Sequence, residues 1–151
     1  MIFVTVGSVA PFDSLIKRID EIASQESLDI TAQIGNGSYL PKNVKWFRFE
    51  KSLDPYFKAA DLVITHNGAG TLFELLSLGK KIIAIPNPNT VQIKNMDIVT
   101  KLSEEGHILA CLDVKMLAGV LHRAREWTPK GYVAPECRIA DVIKDFLLGP
   151  A

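Results

Sequence analysis

"DLVITHNGAGTLFELLSLGKK", residues 61–81, begins as a strand, halts at a histidine, turns through two glycines and continues as a helix. Leu62-Val63-Ile64 is continuously apolar, the pattern of a strand covered on both faces. Thr71 onward supports a helix that stops at Gly79. A covered strand feeding a helix through a tight turn is half of a parallel crossover unit, and the turn itself faces a cleft.

The same alternation continues outward in both directions. Strands are expected near Ile2–Val6, Asp29–Ile34, Val44–Phe49, Leu62–Thr65, Ile82–Ile85 and Ile108–Cys111. Helices are expected near Phe12–Ser24, Tyr56–Ala60, Thr71–Leu78, Gln92–Glu105, Lys115–Trp127 and Glu136–Leu147. This order predicts an α/β fold: a Rossmann-like parallel sheet of about six strands with helices on both faces. Ligands of such sheets bind beyond the carboxyl ends of the strands. Gly7-Ser8, Gly35-Asn36-Gly37, His66 to Thr71 and Pro86 to Gln92 all fall on that edge. The helix at 71–78 is apolar apart from Glu74 and Ser77, so most of its circumference should be covered, with Glu74 on the face left open.

The length of 151 residues fits a single domain, residues 1–151, with no repeat or linker. Lys plus Arg and Asp plus Glu stand at 17 each, so the balance gives no sign of a nucleic-acid groove. Cys111 and Cys137 are far apart, as ordinary core cysteines in a reducing cytoplasm would be. The start "MIFVTVGS" lacks a basic region and is too short in apolar residues for a signal peptide or membrane span. His66, His107 and His122 have no metal-ligand spacing, and no metal is expected.

"HNGAGTLFE" sets Gly68 and Gly70 before a helix start, where unpaired N–H groups and the positive end of the helix dipole converge. Phosphate oxygens suit such a turn, and missing Cβ atoms let them approach closely. A nucleoside diphosphate is the natural guest. Glu74, nearly one turn further in, could accept from ribose hydroxyls; Thr71-x-x-Glu74 is equally a capping box. His66 suits a phosphate donor or a residue capping its own loop. Gly7-Ser8, after the first strand, is a second point of phosphate approach. The G-x-G-x-x-G and G-x-x-x-x-G-K-[ST] fingerprints are absent from these turns, which argues against dehydrogenases and P-loop enzymes. "HRAREW" with Lys130 reads as a solvated face or as a contact for a partner or lipid headgroups.

"MIFVTVGS", "HNGAGTLFELLSLGKKIIAIPN" and "LSEEGHILAC", in that order, resemble the soluble donor-binding subunits of two-component GT-B glycosyltransferases. That group includes the soluble subunit of the dolichol-pathway UDP-N-acetylglucosamine transferase and the donor subunits of bacterial exopolysaccharide transferases. The resemblance extends more weakly to family 28 carboxyl-terminal domains and to plant enzymes with an "HCGWNS" box. It implies the carboxyl-terminal half of a GT-B fold. By position, Gly7 and Ser8 match the glycine loop near the diphosphate. His66, Gly68, Ala69, Gly70 and Thr71 match the phosphate turn, and Glu74 the ribose-binding carboxylate. Phe49, in "FRFEKSL", lies where such domains hold uracil, largely through backbone groups.

The relatives carry an acid–glutamine or histidine–glutamine pair for the donor sugar. Here the ungapped position holds Lys94-Asn95, and an alternative alignment brings Gln92 to the glutamine with Val91 before it. Gln92 or Asn95 would then meet sugar hydroxyls, while Lys94 would suit a carboxylated sugar. The resemblance implies an inverting hexosyltransferase subunit with a UDP-sugar, N-acetylglucosamine or glucuronate, as substrate and no cofactor. The expected partner is a membrane-anchored acceptor-binding subunit holding a lipid-linked saccharide, which recruits this chain to the cytoplasmic face of a membrane. His66 would stabilise the leaving group, and the general base would come from the partner. The alternative is a non-catalytic nucleotide-sugar binding or scaffolding subunit.

Overall fold

The computed structural model describes residues 1–90 and 96–133. Gln92, Lys94, Asn95, Cys137 and the expected helix at 136–147 lie outside the described residues. The elements run β1 (Ile2–Thr5), α1 (Asp13–Gln25), β2 (Ile30–Gln33), β3 (Lys45–Phe47), α2 (Asp54–Ala59), β4 (Leu62–His66), α3 (Ala69–Ser77), β5 (Lys81–Ile85), α4 (Met96–Glu104), β6 (Leu109–Ala110), and α5 (Leu117–Glu126) after a 3-10 turn at Val114–Met116.

The strands form one six-stranded sheet in the order β3-β2-β1-β4-β5-β6. Every pairing is parallel, with Ile2 opposite both Ile30 and Leu62, and Leu62 opposite Lys81. The expected doubly covered sheet is present. Chain order reverses between β1 and β4, which makes the crevice above that pair the topological switch point.

Alternate residues of each strand feed two separate cores. Val4, Ile64, Ile83 and Ala32 point with Leu15, Ile16, Leu117 and Leu121 toward α1 and α5. Phe3, Val63, Ile82 and Ala84 point with Phe57, Leu72, Leu75 and Val99 toward α2, α3 and α4. Continuous apolar runs in β4 and β5 are therefore needed to satisfy both sides at once. Asp20 pins the long β2–β3 connection, accepting from Tyr39 Oη at 2.6 Å and from the N–H groups of Lys42 and Asn43.

Several sequence expectations are corrected. β3 ends at Phe47, so Phe49 lies in the following loop. α2 begins at Asp54 rather than Tyr56, with Pro55 in its first turn where the missing N–H is harmless. α3 begins at Ala69, two residues before Thr71, with Gly68 as its N-cap and no side-chain cap bond. Thr71 is thus inside the helix, and the Thr71–Glu74 capping box does not form. α3 is also less covered than its composition suggests: Leu72, Leu75 and Leu76 are buried, but Phe73 and Leu78 remain 40% and 41% exposed.

The face carrying "HRAREW" is partly neutralised within the chain. Arg125 Nη2 meets Glu26 at 2.7 Å and His122 Nε2 meets the same carboxylate at 3.4 Å. Lys130 is held at the β6 approach, its backbone N–H donating to Gly106 C=O and its carbonyl accepting from His107 Nδ1.

Candidate functional site

The loops after β1, β4 and β5 meet at the switch point and enclose a cavity of about 360 Å³ lined by Val6, Val9, Ala10, His66, Asn67, Gly68, Asn89 and Thr90. Beside it, Gly7 of the β1 loop and Gly68 of the β4 turn both lie against the His66 ring.

His66 is the last residue of β4, and its ring stands between the two loops. A Cβ on Gly7 would lie 2.7 Å from the ring's Cε1 and Nε2, and one on Gly68 would lie closer still to Nε2. Both glycines are therefore required for the imidazole to occupy this place. Gly7 also needs its freedom at φ +77°, a backbone region that side chains disfavour. Gly70 is different: a Cβ there would meet nothing within 4 Å. No atom of the chain stands against its open side, so space within the chain does not demand glycine there. Burial holds the His66 imidazole below its ordinary pKa of 6.5, favouring the neutral ring. Thr65 Oγ1 lies 3.3 Å from Nδ1.

α3 makes its first intrahelical bond from Leu72 N–H to Gly68 C=O at 3.1 Å. Among the described residues the N–H groups of Ala69, Gly70 and Thr71 have no acceptor, and they lie at the positive end of the nine-residue helix. The turn thus presents three donors and a dipole to an anion.

Glu74 is exposed on α3 and unused as a cap. Partial desolvation, and next the hydrogen bonding and charge of the neighbouring Asp54 carboxyl, raise its pKa above the ordinary 4.5. Asp54 sits in the first turn of α2, so the two helices bring a pair of carboxyls together. Ser77 Oγ donates to the Glu74 backbone carbonyl at 2.6 Å.

Four amide residues that frame the site had no role assigned from the sequence. Asn67, 5% exposed, accepts the Asn87 backbone N–H at 3.4 Å. Asn87 and Asn89 both donate side-chain N–H groups to Pro11 C=O, at 3.1 and 3.2 Å. These bonds tie the β5 loop to the other two. Gln33, 3% exposed at the end of β2, donates from Nε2 to Gly7 C=O at 3.3 Å and to Arg48 C=O at 3.0 Å. The signal for these was present but weak: polar residues at the carboxyl ends of buried strands in a parallel sheet have no place unless they serve a loop.

Phe49 follows Arg48 and is 51% exposed. Arg48 Nη1 donates to the carbonyls of Gly35 and Gly37 at 3.0 and 2.8 Å, which fixes this loop beside the β2 glycine turn.

Residues 1–137 match the glycosyltransferase family 28 C-terminal domain. The chain is 33% identical over 122 residues to the mouse UDP-N-acetylglucosamine transferase subunit ALG13, a match covering 72% of this chain and 10% of that protein. It is 34% identical over 105 residues to the Flavobacterium psychrophilum UDP-N-acetylglucosamine--N-acetylmuramyl-(pentapeptide) pyrophosphoryl-undecaprenol N-acetylglucosamine transferase, covering 63% of this chain and 28% of that protein. The chain therefore spans about a tenth of the mammalian relative's length. Among solved structures, Acinetobacter baumannii MurG superposes with a TM-score of 0.67 at 19% identity, over 95% of this chain and 49% of MurG. The solution structure of ALG13 superposes with a TM-score of 0.62 at 19% identity, over 97% and 94% of the two chains. These likenesses establish the fold as that of GT-B carboxyl-terminal domains.

Proposed function

The chain belongs to the glycosyltransferase family 28 C-terminal domains, and from that membership we propose that it is the donor-binding half of a two-component inverting glycosyltransferase that takes a UDP-sugar. The observation that carries this reading is the pairing of the Gly7-Ser8 loop with the uncapped start of α3 across His66.

Charge develops on the diphosphate as the sugar leaves, and the N–H groups of Ala69, Gly70 and Thr71 with the α3 dipole are arranged to stabilise it. Burial favours the neutral His66 ring in the empty site; the approach of a diphosphate raises its pKa and lets it donate, or take up a proton, at the leaving group. Glu74, which caps no helix, accepts from ribose hydroxyls in this reading, exchanging its contact with the Asp54 carboxyl for them. Phe49 and its loop receive the base. An acceptor and a general base require a second domain, because a GT-B site is a cleft between two. We assign both to a partner subunit carrying a membrane anchor and a lipid-linked saccharide. Among the described residues no helix is long and apolar enough to cross a membrane; in this reading the partner recruits the chain to the cytoplasmic face. The donor is N-acetylglucosamine or glucuronate in this reading, the former favoured by what the named relatives transfer.

The exposed Phe73 and Leu78 on α3 suit a second reading, a non-catalytic nucleotide-sugar binding subunit that buries this face in an assembly. Calorimetric titration with UDP, UDP-N-acetylglucosamine, UDP-glucuronate and ADP tests both. Uridine-selective binding, with sugar transfer appearing on addition of the partner, supports the leading proposal. Equal affinity for UDP and ADP overturns it, and selective binding without transfer by the pair supports the second.

A further inference from the structure

We infer that Gln33 is a positioning residue that aims two backbone donors of the nucleotide site from one buried amide: Ser8 N–H toward the diphosphate and Phe49 N–H toward the base. This rests on the donor-site reading above and extends it to a residue that touches no ligand.

The Gln33 side chain has its three contacts fixed. Its Oε1 accepts from Thr5 Oγ1 at 2.6 Å, and its Nε2 donates to Gly7 C=O at 3.3 Å and Arg48 C=O at 3.0 Å. Both Nε2 partners are carbonyls, which only accept, so turning the amide over would set oxygen against oxygen twice. Thr5 closes the arrangement, accepting the Gly7 N–H at 3.4 Å while its own hydroxyl donates to Gln33. Thr5 and Gln33 are 1% and 3% exposed, so losing these bonds would leave buried polar groups unmatched.

The orientation of two peptide planes follows. In a trans peptide the C=O of one residue and the N–H of the next point in opposite directions, and the described residues contain no cis bond. Gly7 C=O points at Gln33, so Ser8 N–H points away from it. Arg48 C=O points at Gln33 and also accepts Gly35 N–H at 3.1 Å, so Phe49 N–H points away in its turn. Among the described residues neither Ser8 N–H nor Phe49 N–H has an acceptor. Ser8 and Phe49 are both exposed, and the donor-site reading puts the first at the diphosphate and the second at the base. A nucleoside diphosphate offers acceptors at both ends, and one rigid amide between the two loops sets the separation at which they are met.

Titration of the ¹⁵N-labelled chain, followed by amide NMR, tests this directly. UDP should shift the Ser8 and Phe49 amide signals together, uridine that of Phe49, and inorganic pyrophosphate that of Ser8. Gln33→Met should weaken UDP binding by about tenfold or more; Thr5→Val should weaken it likewise, and Thr5→Ser, which keeps the hydroxyl, should restore it. UDP that saturates the chain while leaving both amides unmoved overturns the inference and spares the donor-site reading. So does a Gln33→Met chain of lowered thermal stability with unchanged UDP affinity. Absence of any saturable UDP binding by the unaltered chain overturns both. Should Gln33→Met fail to fold, the titration of the unaltered chain still decides.

Discussion

In the loop after β1, Gly7 sits at φ +77° with its N–H on Thr5 and its carbonyl on Gln33, whereas in the turn after β4, Gly68 has an ordinary φ of −71° and starts a helix that no side chain caps. The first is shaped by buried side chains reaching up from the sheet. The second is shaped by the helix it opens and by one imbalance, a histidine ring that leaves no room for a Cβ. Glycines at corresponding places therefore answer to separate causes: conformation and space at Gly7, space at Gly68, and neither inside the chain at Gly70. What is left unsatisfied differs as well, because the β4 turn offers three adjacent donors and the β1 loop a single aimed one.

The contrast can be broken most severely at Gly7. Gly7→Val adds both left-handed strain and a collision with His66, and a loss of about 2–4 kcal/mol in unfolding free energy is expected by denaturant titration. Gly68→Ala meets the ring alone, so about 1–3 kcal/mol should be lost, and His66→Ala in the same chain should recover most of it. Failure of that recovery would show that Gly68 is held by conformation after all. Glu74→Ala should weaken UDP binding by about 1–3 kcal/mol in calorimetry while leaving stability nearly unchanged, since the residue caps nothing. Gly70→Ala sharpens the distinction most. Stability should rise by about 0.5–1 kcal/mol, as alanine favours a helix over glycine, while UDP affinity falls because the new methyl occupies the open side.

The smallest effect expected is a pH dependence. His66 has a folded pKa below its ordinary 6.5, so the unfolded chain binds the proton more readily. Stability should decline as pH falls below about 6.5, levelling off once the folded ring is also protonated. His66→Asn should remove this component from thermal melts recorded across that range.

Much of this architecture was legible from residues alone. Leu62-Val63-Ile64 and Ile82-Ile83 had to be doubly covered, and doubly covered strands between helices leave little choice but a parallel sheet with its site at the carboxyl edge. Helix starts were harder. Thr71 with Glu74 had the spacing of a cap, but glycine at 68 let the helix begin two residues earlier, and a capping pattern says nothing about which of two possible starts wins. Pro55 likewise drew the start of α2 forward to Asp54. At the site, His66 and Gly7 were visible as types in places and Asn67 and Asn87 fell on the expected edge, but Gln33 was not visible, nor were the bonds of any of these amides, because their partners are backbone carbonyls and N–H groups from loops distant in sequence. No periodicity encodes such bonds. The exposure of Phe73 and Leu78 was also hidden, since apolarity records what a residue tolerates and not what stands beside it.

The sheet's outermost strands are also its shortest, Lys45–Phe47 on one side and Leu109–Ala110 on the other. A long, flat edge invites another chain to pair with it and extend the ladder, and short edge strands bearing charges such as Lys45 are the usual defence. This molecule therefore presents little template for edge-to-edge aggregation. Among the described residues, loops and side chains therefore offer a partner more to recognise than the sheet edges do.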